Sequence, residues 1–263
     1  MTTGLQGKVA LVTGGSKGIG KAIAHHLAAE GVRLAICARD ERILKQTADE
    51  IQVSTRADII AVKANMTKLN DIHRFAETAM KQFNRIDILV NNAGGVHVGG
   101  IFQTTDDEWD YHIQLKLMGY IRMAREVVPS MKLGGGGRII NIVGMAAKEP
   151  GPLFMVPGVT NSALLNFTKT LSKELESDRI LVNAVNPSTT ETPLTGETMA
   201  AFARILQKSP EEVKAEIAAS SPHGRLATPE DVAAVAVFLA SDSAKFINGI
   251  SLNVDAGRSL GLW

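Results

Sequence analysis

One stretch narrows the choice of fold more than any other: Thr13-Gly14-Gly15-Ser16-Lys17-Gly18-Ile19-Gly20. It directly follows an apolar, β-branched run, Val9–Thr13, and opens a helical pattern, Ile19–Glu30. A helix start presents unpaired N–H groups and a partial positive charge. Glycines before it let the backbone turn sharply and let a pyrophosphate come close. A glycine pattern alone is weak evidence. Strand, loop and helix in that order, within one βαβ unit, is much stronger. The plain alternative is a tight turn with no ligand.

The same rhythm runs along the chain. Apolar runs at Val9–Thr13, Val32–Cys37, Ile59–Lys63, Ile86–Val90, Arg138–Val143, Ile180–Val185 and Ile250–Val254 predict strands. Helical patterns at Ile19–Glu30, Arg42–Val53, Asn70–Gln82, Trp109–Lys132, Asn161–Ser177 and Pro229–Ala240 lie between them. Short apolar strands separated by helices imply a parallel sheet covered on both faces. Right-handed crossovers make that sheet doubly wound. The expected fold is therefore α/β, a doubly wound parallel seven-stranded sheet with helices on both faces. Residues 1–263 read as a single domain, since no composition break suggests a linker. The glycine run Gly134–Gly137 joins a helix to a strand and reads as a loop. Residues 188–225 lack a strand and read as a lid-like segment over a ligand site. Within it Met199, Phe202 and Leu206 either line a pocket or bury the lid itself.

Composition mainly excludes. The chain is 45% hydrophobic, 21% charged and carries a net charge of +1. It offers no general attraction to nucleic acid or to an anionic membrane. The single cysteine, Cys37, rules out an intramolecular disulfide and a cysteine metal cluster, and no metal site is expected. Val232–Ala240 is the longest apolar run, far short of the roughly 20 residues a membrane span needs. The start of the chain does not read as a signal peptide, and a cytoplasmic location is the expectation.

The second strand ends at Cys37-Ala38-Arg39-Asp40. A ribose-reading side chain is expected about 20 residues past the glycine loop, and Arg39 follows Gly20 by 19. Ala38 makes no bond to a ribose 2′-hydroxyl. Arg39 can form charge-assisted bonds to a 2′-phosphate, with Lys17 helping from the loop. Each such bond contributes roughly 1.5–3 kcal/mol. NADP(H) is therefore the expected cofactor and NAD(H) the lesser candidate. Asp40 takes the NAD-binding role if the strand end is shifted by one or two residues.

These residues resemble the short-chain dehydrogenase/reductase (SDR) family, and within it the 3-oxoacyl-reductase-like branch. The glycine motif matches the family's cofactor loop, a doubly wound fold of the Rossmann type. Asn91-Asn92-Ala93-Gly94 is similar to its NNAG motif. Asn183-Ala184-Val185-Asn186-Pro187 with Thr192 is similar to the stretch that meets the nicotinamide, and Arg225–Gly257 to its closing segment. The resemblance implies that Gly14, Ser16, Lys17, Gly18, Ile19 and Gly20 cradle the phosphates. It also implies that Asn65 and Met66 flank the adenine, that Asn91, Ala93 and Gly94 border the cofactor, and that Pro187, Thr190 and Thr192 lie near the nicotinamide end. Ser188 stands where the family has glycine, so that end is altered. The resemblance further implies a homodimer or homotetramer built on the long helices Trp109–Lys132 and Asn161–Ser177.

The family's chemistry moves a hydride between nicotinamide and a carbonyl carbon. A tyrosine, assisted by a lysine four residues on, supplies the proton, while a serine holds the oxygen and an asparagine completes a relay. Counted from neighbouring anchors, those positions hold Lys116 for asparagine, Gly144 for serine, Pro157 for tyrosine and Asn161 for lysine. Glycine has no hydroxyl and proline no acid, so the usual Tyr-xxx-Lys mechanism is not possible. Losing a positioned acid costs about 10²–10⁴ in rate. The asparagine and lysine positions look exchanged, which leaves Lys116 as a proton donor or a merely solvated side chain. His97, in the loop after the NNAG motif, is the other candidate acid or a surface histidine. Three readings stay open: an NADP(H)-dependent oxidoreductase of some ketone or secondary alcohol with unusual catalytic residues; a catalytically silent NADP(H)-binding protein or partner subunit; a non-redox lyase or isomerase on the same scaffold. The small-molecule substrate is unidentified, and the terminal Ser259–Trp263 is apolar enough to seal a further interface.

Overall fold

Every strand of the sheet is parallel to its neighbours. The computed structural model describes residues 3–261. The strands are β1 (Val9–Thr13), β2 (Arg33–Ala38), β3 (Ile59–Lys63), β4 (Ile88–Asn91), β5 (Gly137–Ile142), β6 (Ile180–Pro187) and β7 (Ser251–Val254). Their order across the sheet is β3-β2-β1-β4-β5-β6-β7. Chain order reverses between β1 and β4, and ligands of such sheets bind outside the strand ends at that point.

The strands are apolar on both faces because both faces are covered. Ala10 and Val12 of β1, with Leu34 and Ile36 of β2, point into one core. Helices α1 (Gly18–Ala29), α2 (Glu41–Thr55) and α9 (Pro229–Ala240) close that core with Leu27, Leu44 and Leu239. Val9, Leu11, Ala35 and Cys37 alternate to the other side. There α3 (Leu69–Phe83) and α5 (Gly119–Leu133) pack with Phe75, Met123 and Val127, and α6 (Met155–Glu174) adds Phe167 and Leu171. A strand buried on two sides cannot alternate polar and apolar residues, which is why short apolar runs marked the strands.

The structure corrects two helix boundaries. The long helix begins not at Trp109 but at Asp106, where α4 (Asp106–His112) starts behind a Thr105/Glu108 capping box. It continues through a π-helical turn, Ile113–Met118, into α5. Helix α6 begins at Met155 rather than Asn161, so Pro157 and Gly158 lie in its first turn. Their breaker character misleads, because a proline in the first turn removes an N–H that has no intrahelical partner anyway. Residues 188–225 hold two helices, α7 (Thr195–Leu206) and α8 (Pro210–Ala219). Met199, Ala203 and Val213 form a small core between them. Phe202 packs against that core, whereas Leu206 is exposed.

Candidate active site

A cleft of ≈ 1130 Å³ opens at the carboxyl ends of the central strands. The glycine loop forms one wall. Gly14 and Gly18 adopt φ of +67° and +52°, a region side chains disfavour. A Cβ on Gly18 would lie 3.1 Å from the Thr192 methyl, and one on Gly14 3.0 Å from the Ala93 Cα. Lys17 precedes α1 with no side-chain cap, so the first N–H groups of that helix have no capping oxygen from it. Asn92 braces the loop from β4, its Nδ2 donating to the carbonyls of Thr13 (3.0 Å) and Gly14 (3.2 Å). Asn92 also lines the cleft, a role its place in the NNAG motif did not by itself reveal.

The structure gathers most of the predicted cofactor residues around this cleft. Gly14, Ser16, Lys17, Gly18, Ile19, Arg39, Met66, Ala93, Gly94, Pro187, Thr190 and Thr192 all line it. Three others stand behind it. A Cβ on Gly20 would collide with the Gly14 carbonyl, so this glycine serves the packing of α1 against the loop. The Asn65 Oδ1 accepts from the backbone N–H and hydroxyl of Thr67, both at 3.0 Å, and so closes a turn. Asn91 is buried in the sheet and donates to the Asn141 Oδ1 at 3.0 Å. At the end of β2, Arg39 donates to the Tyr111 hydroxyl at 2.8 Å. The Asp40 carboxylate instead caps α2, accepting from the Ile43 N–H at 3.0 Å.

At the far end four positions from three distant segments meet: Lys116 on the π turn, Gly144 after β5, and Pro157 and Asn161 on α6. The Lys116 ammonium donates to the Val143 carbonyl at 2.5 Å. Burial lowers its pKa from 10.5 to about 8, and no carboxylate among the described residues offsets that penalty. Its chain runs beneath Gly94, whose absent side chain leaves the Lys116 Cδ 3.6 Å from where a Cβ would stand. Asn161 is 3% exposed, and its Oδ1 has no partner among the described residues. The Asn161 Nδ2 lies 3.1 Å from the place a Cβ on Gly144 would take. Gly144 itself holds φ +119°, so the serine expected here would have to strain the backbone as well as fill the space.

His97 does not join them. Its Nε2 pairs with the Thr104 hydroxyl at 3.0 Å and its ring meets His112 edge-on at 5.7 Å, away from the cleft lining. Neither tyrosine lines the cleft: Tyr120 is buried and donates to the Ile142 carbonyl, and the Tyr111 hydroxyl accepts from Arg39. Met199, Phe202 and Leu206 are not cleft-lining either; Phe154 is, with Phe202 meeting it edge-on at 5.1 Å.

Residues 14–259 match the family model described as enoyl-(acyl carrier protein) reductase. The 3-oxoacyl-[acyl-carrier-protein] reductase FabG of Thermotoga maritima is 33% identical over 261 residues, 96% of this chain and 98% of that one. The chain belongs to the short-chain dehydrogenase/reductase family. The short-chain reductase protein NovJ of Streptomyces niveus is 34% identical over 259 residues, 96% of this chain and 94% of its own. The solved L-sorbose reductase from Gluconobacter frateurii, complexed with NADPH and L-sorbose, superposes with a TM-score of 0.94 at 33% identity, covering 100% of both chains.

This SDR chain also brings unpredicted residues to the cleft: Glu149, Glu197, Asp255, Arg258, Ser259 and Leu260. The Glu149 Oε1 accepts from the N–H groups of Leu260 (2.9 Å) and Gly261 (3.0 Å), drawing the chain end across the opening. No local spacing signals a contact between residues 111 or more positions apart. Leu262 and Trp263, the apolar end of the terminal stretch read as a sealing segment, lie outside the described residues. Among the described residues no helix is long and apolar enough to cross a membrane, and no group of three metal-ligating side chains forms.

Proposed function

We propose that this protein is an NADP(H)-dependent SDR oxidoreductase acting on a ketone or secondary alcohol, with Lys116 replacing the family's tyrosine as proton donor. The observation that carries the reading is the part-buried Lys116 ammonium in the lining of a dinucleotide-sized cleft, where desolvation lowers its pKa to about 8. NADP(H) fits the residues present. Loop glycines whose Cβ atoms would crowd the cradle, an α1 start without a side-chain cap, and Arg39 beside an Asp40 already used as a helix cap all suit a phosphate-rich ligand. When bound, the cofactor supplies or accepts the hydride.

Lys116 does the proton work. An ammonium with pKa near 8 is mostly charged at neutral pH yet gives up its proton readily, the match that acid catalysis favours. The Asn161 amide, rigidly buried beside Gly144, offers a donor for the same carbonyl oxygen. In the reverse direction, the neutral amine takes the alcohol's proton. The relatives named above are reductases, and the one complexed with L-sorbose holds NADPH, which supports both the reaction class and the cofactor.

Lys116 bonded to a backbone carbonyl, with Gly144 and Pro157 bare of acid or hydroxyl, also favours a second reading: an NADP(H)-binding protein without turnover. Calorimetric titration with NADPH and NADH, followed by a ketone panel read by nicotinamide absorbance, separates the two. The expected result is tighter NADPH binding and a turnover that K116A lowers about 10²–10⁴-fold. Tight binding with no oxidation in any case selects the silent protein, and unchanged turnover in K116A removes Lys116 from the mechanism.

A further inference from the structure

Arg39 is not a free surface cation. Its Nη1 donates to the Tyr111 hydroxyl at 2.8 Å, joining the end of β2 to the last turn of α4. Leu115, one turn after Tyr111, lines the cleft, as Arg39 does. The contact therefore ties the cleft-lining Arg39 to the helix that carries Leu115, although Tyr111 itself stands outside the lining.

Three features make this pair more than a chance surface contact. The Tyr111 ring meets that of its chain neighbour His112 edge-on at 5.4 Å. Arg39 forms no ion pair among the described residues, and its nearest acid in sequence, Asp40, is committed to the cap of α2. The Tyr111 oxygen accepts from Arg39, and its own hydrogen has no acceptor among the described residues. Accepting from a cation also strengthens that hydrogen as a donor. The pair thus presents a guanidinium with spare N–H groups and a phenolic O–H together, a donor set suited to a phosphate monoester.

We propose that Tyr111 is the second half of a two-residue 2′-phosphate site, holding the Arg39 guanidinium in place and donating its O–H to the same group. A long arginine chain loses rotamer freedom when it grips an anion. Tyr111 removes part of that freedom before the ligand arrives, so the gain appears only with a ligand that carries the 2′-phosphate. This inference rests on Arg39 being the 2′-phosphate contact.

Calorimetry on the full-length Y111F and R39A variants, with NADPH and NADH in parallel, tests it. Y111F keeps the ring and its contact with His112, and Tyr111 is 40% exposed, so the fold tolerates the change; thermal melting checks this. The expected result is an NADPH Kd raised about 5- to 10-fold in Y111F, the scale of one hydrogen bond, with the NADH Kd unchanged. R39A is expected to lose more, with the same selectivity. If R39A is selective for NADPH and Y111F is not, the role of Tyr111 is overturned while Arg39 keeps its own. If Y111F weakens both cofactors alike, Tyr111 merely shapes the cleft and the proposal fails. If neither variant discriminates, the 2′-phosphate assignment itself falls.

Discussion

An ammonium packed against a backbone carbonyl, with no carboxylate among the described residues beside it, is an unusual thing for a protein to keep. In Lys116 the charged form is disfavoured by burial, and the native state holds its proton less tightly than the unfolded chain does. Between about pH 8 and 10.5 the unfolded chain therefore binds more protons, and stability rises with pH across that window. Below about pH 8 the penalty is fully present; above 10.5 it is gone. Replacing Lys116 with methionine removes it. K116M is expected to be more stable than the parent at pH 7, by about 1–3 kcal/mol once screening is allowed for, with the gap closing as pH rises toward 10.5. Denaturant unfolding of both proteins from pH 7 to 10.5 measures this, and a gap independent of pH would show that Lys116 keeps its ordinary pKa. Gly144 carries the matching lesson. Its φ of +119° means that the backbone, and not only the side chain, differs from what a serine there would adopt.

At the scale of elements, the π turn Ile113–Met118 sets where Lys116 points. A π turn inserts an extra residue into a helix, re-aims the side chains around it and is frequent at functional sites. No residue in Ile-Gln-Leu-Lys-Leu-Met demands it, which is why the stretch reads as ordinary helix. Residues 188–225 hold α7 and α8, which share a core of their own around Met199. We expect this pair to open locally without the sheet. M199A removes a side chain that is 2% exposed, and the loss is worth about 2–5 kcal/mol if fully felt. Hydrogen exchange should quicken across 195–219 while the β1 amides keep their protection. Equal quickening in both places would show that the two helices belong to the main cooperative unit.

At the scale of the whole molecule, the proposed homodimer or homotetramer is open to a direct check. Light scattering at micromolar concentration is expected to return two or four times the 28.1 kDa chain mass. A mass of one chain would overturn that proposal without touching the site, since every residue discussed comes from a single copy.

The sequence alone determined the sheet and the glycine loop. Buried parallel strands must be continuously apolar, and a phosphate cradle must have glycines, so both leave local marks. The strand starts at Val9, Ile59 and Ile180 stand where the apolar runs begin. Lys116, Gly144, Pro157 and Asn161 are each counted from a nearby anchor in the sequence, and the structure lines one cleft with all four. Tertiary structure alone decided the rest: that His97 turns away to Thr104, that Arg39 is held by Tyr111, and that Glu149 draws the chain end over the cleft. These depend on where distant segments meet. A side chain's partner across 72 or 111 residues is chosen by the packing of whole helices on the sheet, and no local pattern encodes it.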